Sequence, residues 1–216
     1  MSGPSPPTSV PDAAATDAAQ LGWMQGLPRP PGKTVAFADG SAWAFPCTRW
    51  AFSHMRELFL TANVSRGDGP VAVLPRAERS ELDAIAFTTL DGRAMTWSGS
   101  LAANHTDGIG VLHRGAIVQE RYFGALQPAL AHSAMSVSKS FVGTMASMLA
   151  HGGALDRAAA VTHYLPELKE SACADATVRQ VTDMTIGVKY SETDAGPEAD
   201  IWHYARAGNL LPRPPG

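Results

Sequence analysis

The sequence predicts an α+β domain with antiparallel strands. Two observations point to strands: Asp91-Gly92 and Arg114-Gly115 each separate two strand-like runs, the pattern of a tight hairpin turn. A third points to helix: from Ser138 onward the apolar residues Phe141, Met145, Met148 and Leu149 recur at helical spacing.

The elements follow in chain order. Residues 1–20 are rich in Pro, Ala and Ser and hold almost no large apolar side chains, so they read as a mobile arm. The stretch 26–33 is a Pro-stiffened loop, and Trp23 and Met24 before it suggest a short docked piece. Residues 50–59 read as one short helix, with Phe52, Met55 and Phe59 on a common face, broken by the turn residues of 65–70. Strands are expected at Ala84–Leu90 and Arg93–Ser98, and again at Gly110–Leu112 and Ala116–Phe123. The helix from Ser138 should end at the glycines of 151–156, where Gly supplies the left-handed cap. Residues 161–168 read as a short helix or turn. Residues 176–185 read as an amphipathic helix, striped by Val178, Val181 and Met184 and capped near Thr177. The acidic run 192–200 reads as a solvated loop, Trp202, His203 and Tyr204 as an aromatic cluster, and 210–216 as loop.

Composition narrows the function. With 216 residues, 45% hydrophobic and 17% charged, the chain reads as globular. A net charge of −3 gives no field to recruit nucleic acid or an anionic membrane. No apolar run approaches membrane-spanning length, and the N-terminus lacks the basic and apolar regions of a secretory signal, so the expected location is cytoplasmic. Cys47 and Cys173 read as two buried free thiols in preference to a disulfide, and none of the seven histidines has metal-ligand spacing; no cofactor is expected.

The chemically informative stretch is SAMSVSKSFVG, 133–143. A serine hydroxyl is a poor nucleophile at neutral pH and needs a base in hydrogen-bond reach. Ser136 and Lys139 stand three apart, which on a helix places them on one face. A lysine that loses solvent can serve as the base, and the helix start favours developing negative charge. The backbone N–H of the serine can then donate to an oxyanion. Spacing alone leaves a second role open: Ser136 could be a plain N-cap, for which Ser133, Ser138 and Ser140 compete. His132, four residues before Ser136, reads either as a rim hydrogen-bond donor or as a surface histidine.

MSVSKSFVGTM at 135–145, followed by HGGALD and VTHYLPEL, resembles the S-x-x-K region of the serine β-lactamase and penicillin-binding protein superfamily, in its class C branch. Residues 49–70 and 178–192 further resemble the 6-aminohexanoate-dimer hydrolase group. The resemblance implies an antiparallel sheet flanked by helices plus a helical subdomain, occupying 21–216 but incomplete at the C-terminus. It implies an acyl-enzyme serine hydrolase of small-molecule amides or esters, with Ser136 as nucleophile, Lys139 as its partner and no cofactor. The superfamily also carries a Tyr-x-Asn and a Lys-Thr-Gly-like element, and neither is found here. Tyr190 lacks an Asn two residues on, Tyr204 and Asn209 are five apart, and the Lys33-Thr34-Val35 run precedes the nucleophile. By that resemblance the chain corresponds to the first half of an enzyme and is expected to be weakly active. Two alternatives stand beside it: an inactive remnant acting as a binding module, and a β-lactamase or D-alanyl peptidase.

Overall fold

The computed structural model describes residues 12–191 and 198–212. Its contacts divide the chain into two units, one running to Ser133 and one from Ala134 onward.

In the first unit, Ala18, Val35, Ala42, Cys47, Trp50 and Ala51 form a buried cluster, with Trp23, Met24, Trp43, Phe52 and Leu58 packed against it. Burial pushes the Cys47 thiol up from its usual range. Cys47 and Cys173 are both free, but only Cys47 is buried; Cys173 is half-buried. Residues 12–20, expected in a mobile arm, are hydrogen-bonded turns with Thr16 and Ala18 buried. Ala18 joins the Trp50 cluster and the Thr16 hydroxyl accepts from Arg49, uses that low bulk hydrophobicity does not reveal. Residues 1–11 lie outside the described residues.

The expected helix at 50–59 is two separate turns, α1 (Thr48–Ala51) and α2 (Met55–Leu58). They part where the Ser53 hydroxyl and the His54 ring both turn back onto the Trp50 carbonyl. Arg49, only 5% exposed, is neutralised by Asp107 at 3.1 Å and also donates to the Ala13 carbonyl and the Thr16 hydroxyl.

Both expected hairpins form. β1 (Ala86–Thr88) pairs antiparallel with β2 (Ala94–Thr96), which runs directly into α3 (Trp97–Ala103), capped by the Thr96 side chain. β3 (Gly108–His113) pairs with β4 (Ala116–Tyr122) in the register Gly108↔Tyr122 to His113↔Ala116, with a register shift between Val111 and Leu112. Arg114 and Gly115 both have positive φ, as a type I′ turn requires.

β4 is more enclosed than alternation alone predicts. Its second edge is met by residues 75–79, through Ile117 N–H to the Pro75 carbonyl and Ala77 N–H to the Ile117 carbonyl. Val118 and Gln119, on opposite faces, are both buried. The Gln119 amide is satisfied on both sides: its oxygen accepts from the Trp97 indole at 2.7 Å and its nitrogen donates to Asp83. The Arg121 guanidinium, 2.6 Å from Asp83, holds that carboxyl below the usual carboxylate range.

The second unit holds α4 (Ser138–His151), α5 (Val161–Tyr164), α6 (Val178–Thr182) and α7 (Asp200–Ala207). α4 begins at the expected residue and ends at Gly152, followed by Gly153 with positive φ. Its stripe is not buried. Phe141 is 68% exposed, Met145 59%, Met148 68% and Leu149 52%, so the apolar face that the helical spacing marks is left open among the described residues. α5 and α6 are joined instead by a short backbone bridge, Val161 N–H to the Ala176 carbonyl and Val178 N–H to the Ala159 carbonyl, around buried Val161, Ala176 and Val178. α6 opens with a full capping box, in which Thr177 and Gln180 satisfy each other's backbone N–H groups. Trp202, His203 and Tyr204, read as an aromatic cluster, lie within α7. Most of the acidic run 192–200 lies outside the described residues. No helix among the described residues is long and apolar enough to cross a membrane.

Candidate active site

Ser136 lies in a single 3-10 turn, Met135–Val137, that leads straight into α4. The turn brings the two residues singled out by spacing together: the Lys139 Nζ is 3.0 Å from the Ser136 Oγ. At that distance the contact works in either direction. A charged ammonium donates to the hydroxyl oxygen, and a neutral amine accepts the hydroxyl proton.

The N-cap alternative is not what the structure shows. The residue at the cap of α4 is Val137 and that of the 3-10 turn is Ala134, and neither cap uses a side chain. Of the competing serines, Ser138 has its hydroxyl committed, while Ser133 and Ser140 are bonded through their backbone groups. Ser133 N–H donates to the Phe52 carbonyl at 2.7 Å, and the Ser138 hydroxyl donates to the Met135 carbonyl at 2.5 Å. The Ser140 carbonyl accepts from Thr144.

The backbone entering the turn is unusual. Met135 has φ of 45°, in the left-handed region that costs a non-glycine residue energy. Sequence reading did not single out Met135 or Ser138 as parts of the site. The only signal was a second serine two residues after the first.

Ser136 and Lys139 are both exposed. No buried residue of α4 stands behind them. His132 belongs to the first unit, where its Nε2 lies 3.7 Å from Asp107 and its ring meets Phe52 edge to face. Tyr190 and Tyr204 stack edge to face with centroids 6.2 Å apart. Lys33 lies over the Trp23 ring and Val35 is in the first unit's core, so that run is structural. An open 630 Å³ hollow in the first unit is lined by His105, Asp107, Glu120, Tyr122 and His132 among others, but not by Ser136 or Lys139.

The family model described as Beta-lactamase matches residues 100–215, which contain both residues of the pair. The 6-aminohexanoate-dimer hydrolase of Paenarthrobacter ureafaciens is 34% identical over 171 residues, 79% of this chain and 42% of that protein. A solved structure, a putative 6-aminohexanoate-dimer hydrolase from Bacillus anthracis, superposes with a TM-score of 0.72 at 30% identity, covering 82% of this chain and 46% of its own. The chain therefore spans somewhat under half the length of each of these relatives. The α+β architecture is of the β-lactamase/transpeptidase type, and the chain belongs to the β-lactamase family.

Proposed function

We propose that Ser136 is the nucleophile of an acyl-enzyme serine hydrolase acting on small amides or esters, with Lys139 as its proton partner. The observation that carries the reading is the 3.0 Å contact between Lys139 Nζ and Ser136 Oγ at the head of α4. Neutral Lys139 takes the hydroxyl proton as Oγ bonds to the substrate carbonyl carbon, and the carbonyl electron pair moves onto its oxygen. The Ser136 N–H and the positive end of α4 stabilise that oxyanion. When the oxyanion collapses, the bond to the leaving group breaks, and the amine or alcohol departs with the proton held by Lys139. Water then adds to the Ser136 ester, releases the acid and restores the hydroxyl. Both named relatives are called hydrolases of a 6-aminohexanoate dimer, which favours a short amide of that kind as substrate. The exposure of both side chains favours slow turnover by this chain.

The test is intact-mass analysis after treatment with a fluorophosphonate probe. The Ser136 Oγ displaces fluoride from phosphorus, so one adduct is expected on Ser136. Ser136→Ala should remove it, and Lys139→Ala should slow its formation about 100-fold or more. A folded wild-type chain that gains no adduct on Ser136 overturns the reading. Turnover of p-nitrophenyl esters at several per second, lost in Ser136→Ala, would keep the reading but refute slow turnover.

A further inference from the structure

The Met135–Ser136 peptide unit carries two groups of opposite direction. Its carbonyl belongs to Met135, and its N–H is the Ser136 N–H assigned above to the oxyanion. In a planar trans peptide the two point in opposite directions, so whatever holds the carbonyl also aims the N–H. Two donors, both from Ser138, converge on that carbonyl: its backbone N–H and its hydroxyl, the latter at 2.5 Å. The unit needs holding, because Met135 sits at φ 45° and relaxation to a common backbone conformation would rotate the peptide.

We infer that Ser138 is a positioning residue of this site: its hydroxyl locks the Met135–Ser136 peptide plane and so aims the Ser136 N–H at the oxyanion. Ser138 does not touch substrate. Its effect runs through one peptide unit, and it requires a hydroxyl at that position rather than a small side chain. The inference rests on Ser136 as the nucleophile, so its test includes a readout that does not need the nucleophile to react.

Ser138→Ala and Ser138→Thr are compared with the wild-type 216-residue chain by two measurements, with helix content by circular dichroism as the folding control. In the first, the fluorophosphonate labelling rate should fall about 3- to 10-fold in Ser138→Ala, the worth of one hydrogen bond, and be restored in Ser138→Thr. In the second, the Ser136 amide resonance in a 15N-labelled, untreated chain should move in Ser138→Ala and stay in place in Ser138→Thr. A wild-type labelling rate in Ser138→Ala overturns the inference. So does a Ser136 amide unmoved in Ser138→Ala, or displaced equally in both variants. If wild-type Ser136 does not label, the nucleophile reading fails, and the amide spectra alone decide whether the hydroxyl sets the peptide plane.

Discussion

Helix α1 has four residues and buries three of them, Arg49, Trp50 and Ala51; helix α4 has fourteen and buries none. The longer helix has the clearer apolar stripe and the stronger sequence signal, yet the shorter one anchors a core. The difference lies in what surrounds each. Around α1 the chain returns repeatedly, with residues 18–24, 35–43 and 52–58 contributing side chains to one cluster. Around α4, among the described residues, Phe141, Met145 and Met148 each remain more than half exposed. An apolar stripe specifies a face, and burial requires a partner for that face.

Substitutions can sharpen this contrast. The largest effect is expected in the first unit. Trp50→Ala empties the centre of the cluster and should cost about 3–5 kcal/mol, read as a lower urea midpoint and faster amide exchange across residues 12–59. A loss below about 1 kcal/mol would mean that the cluster is not a stabilising core. Next comes a local device of the second unit. Thr177→Ala removes one half of the capping box and should cost about 1 kcal/mol, with exchange quickening in α6; Thr177→Asn should recover most of it. The smallest effect is expected on α4. Phe141→Ala, at a side chain 68% exposed, should change stability by less than about 0.5 kcal/mol. A cost of several kcal/mol there would show that the α4 face is covered in solution and would erase the contrast.

The same contrast explains which parts of the molecule were legible in the sequence. Local chemistry could be read directly. Asp91-Gly92 and Arg114-Gly115 mark real turns, Thr177 caps α6, α4 starts at Ser138, and the Ser136–Lys139 spacing puts the two side chains in contact. What depended on distant partners could not. Nothing near Thr16 signals that it is buried beside Arg49, and nothing in 75–79 signals pairing with β4. The break between α1 and α2 turns on Ser53 and His54 folding back on one carbonyl, which competes with an otherwise continuous helical stripe. Met135 escaped notice for another reason: a positive φ at a residue other than glycine leaves no mark in composition or spacing.

Arg49 has a consequence for how the chain is made. Its guanidinium bonds Ala13, 36 residues upstream, and Asp107, 58 residues downstream. During synthesis from the N-terminus the upstream acceptors are present as soon as Arg49 emerges, but its counter-charge does not yet exist. Until residue 107 follows, the guanidinium must stay in water or be buried unneutralised, which is strongly disfavoured. The packing of Trp50 and Ala51 beside it is therefore tied to a residue made much later. The Ser136–Lys139 contact spans three positions and waits for nothing beyond its own turn. The serine–lysine turn can take shape as it is made, whereas the first unit closes only when a long loop has returned.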